Sequence, residues 1–192
     1  DLLQLHQADQ FLTMNSEFWT IIETLKDEGI IKAFGVSVYE EQEAVRLINQ
    51  YSGFIDFLQI PYNIFDRRFD FLQDISKKHS LGIISRSVFL KGIIPCAIES
   101  VPKELDGIIE HKMKLKELAE SLDLTSEELA LLYVVKKRFI NSTLIGANSV
   151  KEMDANIKTI EKYKDISLDE NIFETLAIQN SSLIDPRKWN ST

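Results

Sequence analysis

Asp1-Leu2-Leu3-Gln4-Leu5-His6 is the stretch on which the fold turns. Three leucines in four positions, closed by a histidine, predict a buried β-strand. Four more short apolar runs follow, at residues 32–37, 55–60, 82–87 and 142–146. The first four runs start 23 to 30 residues apart. That is the length one strand, one helix and two short loops require.

The segments between these runs carry helical periodicity. Ser16 can cap a helix through Lys26, with Phe18, Ile21, Ile22 and Leu25 at three- and four-residue spacing and Gly29 placed to stop it. Residues 40–50 put Ala44, Leu47 and Ile48 on one face, and residues 66–78 do the same with Phe69, Leu72 and Ile75. The rhythm βαβαβαβ predicts an α/β protein with a parallel sheet. Between Ser87 and Ser142 two helices fit rather than one, at 108–122 and 129–137, the second opened by the capping box Thr125-Ser126-Glu127-Glu128. The long loop 89–100, with Gly92 and Pro95, is expected to be functional. Ser149-Val150-Lys151-Glu152 is a second capping box, opening a helix to about Tyr163. A last helix at 169–179 and an outer tail at 184–189 complete the reading. No linker divides the chain, so residues 1–192 are expected to form one domain.

An open doubly wound sheet would show the same rhythm. No Gly-x-Gly-x-x-Gly follows any strand, however, so the dinucleotide fingerprint of that fold is absent. The expected fold is therefore a (β/α)8 TIM barrel, represented by strands 4 to 8 and the C-terminal helices. The first strand has no lead-in and no initiator methionine. Three β/α units, about 100 residues, are expected upstream.

Composition narrows the function. The net charge is −8, from 22 basic and 30 acidic residues, which lacks the basic footprint of a nucleic-acid binder. The clusters Lys112, Lys114, Lys116 and Lys136-Lys137-Arg138 read as solvated helix faces. Cys96 is the only cysteine, which removes an internal disulfide and a cysteine-based zinc site. No apolar run approaches the ~20 residues of a membrane helix, and a cytoplasmic protein is the default expectation. His6, His79 and His111 lack the carboxylate spacing of a metal motif, and His79 and His111 are expected to be exposed. Trp19 and Trp189 read as packing residues.

Five blocks, in order, resemble aldo-keto reductases. Asp1 to His6 is similar to that family's fourth strand, and Gly29-Ile30-Ile31-Lys32-Ala33-Phe34-Gly35-Val36-Ser37 to its passage into strand five. Gln59-Ile60-Pro61-Tyr62-Asn63 resembles the end of strand six, and Arg86-Ser87-Val88-Phe89-Leu90-Lys91-Gly92 resembles strand seven with its loop. Leu144-Ile145-Gly146-Ala147-Asn148-Ser149, continuing to Asn156, resembles the cofactor-phosphate segment after strand eight.

The resemblance implies roles. His6 would polarise a substrate carbonyl; the alternative is a core histidine at a strand edge. Ser37 and Gln59 would hydrogen-bond a nicotinamide carboxamide, which needs both donors and acceptors; alternatively Ser37 caps a turn and Gln59 bonds backbone. The family's usual asparagine after this serine is Val38 here. Arg86 would stack on the nicotinamide or form a structural ion pair. Ser87, Leu90 and Gly92 would lie along the pyrophosphate. Gly146, Asn148, Ser149, Glu152 and Asn156 would hold the adenosine end, where a helix N-terminus offers N–H groups.

NADP(H) is the cofactor the resemblance implies, with NAD(H) possible because a carboxylate at Glu152 repels a 2′-phosphate; Glu152 also fits a plain capping box. The implied activity is metal-free hydride transfer to a small aldehyde, ketone or sugar. The tyrosine, aspartate and lysine of the family's tetrad belong upstream, and none of the five tyrosines here is assigned to that role. Two rivals stay open: a non-catalytic NADP(H)-binding regulatory subunit on the same barrel, and another barrel that binds a phosphorylated substrate. No nucleic-acid or membrane partner is expected.

Overall fold

The computed structural model describes residues 1–7 and 16–189. Its sheet has five strands in the order β1 to β5: β1 Leu2–Leu5, β2 Ala33–Ser37, β3 Phe57–Pro61, β4 Gly82–Arg86 and β5 Ser142–Thr143. The pairs β1–β2, β2–β3 and β3–β4 are parallel. The principal helices are α1 Ser16–Asp27, α2 Glu41–Tyr51, α3 Leu72–Lys78, α4 Ile109–Ser121, α5 Ser126–Val135, α6 Val150–Lys162 and the short α7 Ser181–Ile184. The chain divides into two compact units.

The first unit comprises Asp1–Pro61, Arg68–Arg86 and Arg138–Ser142. Phe34, Val36, Leu58, Ile60 and Ile83 are fully buried in its strands, as runs covered on both faces should be. Gly35 is obligatory there, because a Cβ would overlap the carbonyl oxygen and ring of Phe57 on the neighbouring strand. Trp19 stacks on Tyr51 at 4.9 Å between ring centroids and lies 4.7 Å from Phe54. This aromatic cluster turns Trp19 and Ile22 inward and leaves Ile21 51% exposed, which corrects the expected face of α1. On α2 the expected face holds: Ala44, Leu47 and Ile48 are buried. Asp56 accepts from the Phe34 N–H at 2.7 Å and pairs with Lys26 at 2.5 Å. Asn141 closes the ladder on Ile83 twice, donating from its backbone and accepting at its side chain, both at 2.8 Å.

The second unit comprises Tyr62–Arg67, Ser87–Lys137 and Thr143–Thr192. Helix α5 is buried from Leu129 to Val134, as a helix apolar on all sides must be. Tyr133 on α5 and Tyr62 are both buried, with hydroxyls 3.1 Å apart and parallel rings. Arg67 and Lys137 sit over the Tyr133 ring at 5.1 and 4.3 Å. Residues 144–146 do not extend β5, and Leu144 and Gly146 are exposed. The helix expected from Asp66 begins only at Leu72. Asn63 Oδ1 accepts the N–H groups of Phe65 and Asp66 at 3.0 and 2.9 Å, fixing a side-chain-bonded turn instead. Residues 169–179 form a 3-10 run, Glu170–Leu176, rather than an α-helix. In the tail, Ile184 and Asp185 are buried, and Asp185 holds Arg187 at 2.6 Å.

Candidate functional site

In the first unit, strand C-termini carry the predicted polar residues. Parallel pairing places Ser37 opposite Gln59. Ser37 is 2% exposed, and its Oγ donates to Gln59 Oε1 at 3.2 Å. The serine oxygen is then oriented to accept and the glutamine amide to donate. Val38, in the family's asparagine position, is buried and donates its N–H to the Gln59 carbonyl at 2.9 Å. Arg86 ends β4 with its guanidinium carbon 3.9 Å from the Tyr39 ring centroid and one nitrogen 3.5 Å from the Val38 carbonyl. The guanidinium thus lies over the Tyr39 ring, a cation–π contact. Glu43 steadies that platform by accepting the Tyr39 N–H at 2.9 Å. His6 follows β1 and is exposed.

In the second unit, the loop after strand four is tightly wound. Ser87, Leu90 and Lys91 have left-handed backbones with φ of 64°, 46° and 52°, and Gly92 follows at 87°. Such conformations are costly for non-glycine residues, of order 1 kcal/mol each, and persist only when the surroundings hold them. Asn63 supplies one restraint, donating from Nδ2 to the Ser87 carbonyl at 3.1 Å. The sequence reading quoted Asn63 within a motif and gave it no role.

A cleft of about 740 Å³ lies in this unit. Gly146, Asn148, Glu152 and Asn156 line it together with Phe89 and Pro95 of the wound loop. Four predicted cofactor residues thus share one cavity, whereas Ser87, Leu90, Gly92 and Ser149 are not among its lining residues. Ser149 caps α6 by accepting the Glu152 N–H at 3.2 Å. The Glu152 carboxylate does not return to the cap residue; it accepts the Asn148 N–H at 2.8 Å. Glu127, Glu128, Lys158 and Lys162 also face the cleft. The Tyr163 side chain, with smaller help from Glu128 and Asp123, holds Lys162 above the ordinary lysine range, so it stays charged.

The basic clusters need correcting. Lys112 is 6% exposed and donates to the carbonyls of Ile93, Ile94 and Cys96 at 2.5, 2.8 and 2.9 Å. Burial pushes its amine below the usual 10.5. Lys137 is also buried and pairs with Glu170. A buried ammonium requires such partners, and a helix-face reading cannot supply them. His79 and His111 are half-buried rather than exposed, and His111 Nδ1 lies 3.2 Å from the Leu176 carbonyl. Among the described residues no cluster of three His, Cys, Asp or Glu side chains is arranged to hold a metal.

A model described as the Aldo/keto reductase family matches residues 1–172. A Bacillus subtilis (strain 168) protein named as the uncharacterized oxidoreductase YqkF is 22% identical over 169 residues, covering 82% of this chain and 54% of its own length. The aldo-keto reductase AKR11C1 from Bacillus halodurans superposes in its apo form with a TM-score of 0.71 at 20% identity, over 98% of this chain and 65% of its own. Its holo form gives 0.69, with the same identity and 64% of its length covered. A thermostable aldo-keto reductase, Tm1743, solved with the inhibitor epalrestat, gives 0.63 at 20% identity, over 92% of this chain and 58% of its own. These likenesses show the fold: parallel α/β units of a (β/α)8 barrel. The chain spans about half the length of the curated relative it matches.

Proposed function

Because the chain belongs to the aldo/keto reductase family, we propose that it is the cofactor-binding portion of an oxidoreductase that moves hydride between a nicotinamide cofactor and an aldehyde, ketone or sugar carbonyl. The observation that supports this most is the Ser37–Gln59 pair, held side by side at adjacent strand ends. One acceptor and one donor in fixed register suit a neutral carboxamide. Arg86, held over the Tyr39 ring, offers a planar cation beside them. His6 follows the β1 C-terminus, where an imidazole can donate to a developing alkoxide.

In this reading Ser87, Leu90 and Gly92 lie along the pyrophosphate. The cleft bounded by Gly146, Asn148, Glu152 and Asn156 takes the adenosine end, with Ser149 shaping the helix start. The bound cofactor supplies the hydride, and the chain's own residues orient and shield it. The size of the cleft and its two asparagines fit a nucleoside. Its helix end fits a 2′-phosphate poorly, because Glu152 already holds the Asn148 N–H and adds a negative charge. NADP(H) is carried over as the family's cofactor, with NAD(H) as the competitor Glu152 favours.

Residues 1–192 are taken as one domain portion of a cytoplasmic enzyme in which other residues of the full-length protein supply the tyrosine, aspartate and lysine of the family's tetrad. Reading the coding sequence upstream, and then assaying cofactor-dependent carbonyl reduction by the full product, tests the proposal. The expected result is turnover by that product and none by residues 1–192 alone. Cofactor binding without turnover, in a product lacking the tyrosine and lysine, would make the regulatory-subunit reading the better one. Absence of nicotinamide binding by the full product would sink both.

A further inference from the structure

We infer that Lys112 is the positioning residue of the cofactor cleft: its ammonium clamps the backbone on both sides of Pro95 and so fixes the loop wall against which the adenosine end packs. The inference rests on the reading above. Three N–H donors of one ammonium meet three carbonyls, those of Ile93, Ile94 and Cys96, at 2.5 to 2.9 Å. The count matches, since a protonated lysine has three donors and no acceptor. Pro95 lines the cleft and has no N–H of its own. Pro95 itself cannot be held through an N–H, and the Ile94 and Cys96 carbonyls that Lys112 binds flank it.

The loop needs holding. It follows three non-glycine residues with left-handed backbones, and from Ile93 to Cys96 its backbone donors reach only back into the same loop: Ile93 to Leu90 at 3.0 Å, Ile94 to Phe89 at 3.3 Å and Cys96 to Gly92 at 3.2 Å, with the Cys96 thiol on the Ile93 carbonyl at 3.2 Å. An apolar side chain would fill the same volume of α4 without the desolvation cost of a buried cation. A buried charge spent on loop carbonyls gives directional restraint in return. Lys114, two residues along the same helix, is the natural control, because it pairs with Glu110 on the outside.

The test compares Lys112→Met, Lys112→Gln and Lys114→Met in the full-length protein. It measures NADPH and NADH dissociation constants by fluorescence, KM and kcat for one carbonyl substrate, and hydrogen exchange at residues 92–97. Lys112→Met is expected to raise cofactor Kd and KM by about tenfold, with kcat within about twofold, the signature of lost binding rather than lost chemistry. Exchange at the Cys96 amide should accelerate. Lys112→Gln, which keeps two donors, should fall between Met and wild type, and Lys114→Met should match wild type. A folded Lys112→Met with wild-type affinity overturns the inference. Where Lys112→Met fails to fold, Lys112→Gln decides: unchanged affinity overturns the inference and weakened affinity supports it. A wild-type protein that binds neither cofactor overturns the functional reading itself, which separates the two failures.

Discussion

Helices α5 and α6 begin with the same sequence device and use it differently. At α5, Thr125 Oγ1 accepts the Glu128 N–H at 3.2 Å, and Glu128 returns to accept the Thr125 N–H at 2.9 Å. The box is closed: both bonds stay within the helix start, although Thr125 and Glu128 also line the cleft. At α6, Ser149 accepts the Glu152 N–H at 3.2 Å, but the Glu152 carboxylate reaches one residue further back, to Asn148. It thereby fixes the strand-to-helix passage that lines the cleft. One motif closes on itself to start a buried helix; the other is open and ties a helix start to the segment that lines the cleft.

The sharpest way to break this contrast is Glu152→Arg. It removes the bond to Asn148 and replaces a negative charge with a positive one at the helix start. The ratio of NADP(H) to NAD(H) affinity should move toward NADP(H) by about tenfold, the size expected for a charge reversal in a solvated site. Titration of both cofactors checks it, and an unchanged ratio would mean that Glu152 is only a cap. Thr125→Ala should cost about 1 kcal/mol of stability in urea unfolding and, because Thr125 also lines the cleft, should weaken cofactor binding no more than about twofold. Ser149→Ala should cost less, roughly 0.5 kcal/mol, because its cap is a single bond whereas the box at Thr125 is reciprocal. It should loosen cofactor binding by more than Thr125→Ala does, because it frees the Glu152 turn that holds Asn148. Equal effects of the two alanines on binding would erase the distinction between the helix starts.

Much of the fold was legible because it rests on short-range patterning. Three buried strands, β2 to β4, announced themselves as apolar runs, and both Ser/Thr-x-x-Glu starts were readable by eye; β1, expected to be buried, instead leaves Leu2 and Leu3 exposed. What was illegible depended on one local side-chain turn and on partners distant in sequence. The overlong helix from Asp66 was undone by one side chain, Asn63, taking two backbone donors. The overlong β5 stopped at Thr143, where the ladder ends. The face of α1 was set by aromatic partners on later elements.

The site divides in the same way. Gly146, Asn148, Glu152 and Asn156, which line one cleft, were expected as a block because they are local in sequence. Lys112 was misplaced because its partners are loop carbonyls 16 to 19 residues away. A signal did exist. Lys112 shares helical spacing with Ile108, Leu115 and Ala119, all of them buried, and a lysine on an apolar stripe marks a buried charge in search of acceptors.

The aromatic cluster around Trp19 also makes the molecule its own spectroscopic probe. The chain has two tryptophans, and they fall one in each compact unit. Trp19 is buried against Tyr51 and Phe54, whereas Trp189 is half-buried, its indole N–H donating to the Ser182 carbonyl at 3.0 Å. Replacing Trp189 by phenylalanine leaves an emission that reports on the strand-bearing unit alone. Denaturant curves of that variant and of its Trp19 counterpart would show directly whether the two halves of the chain melt as one.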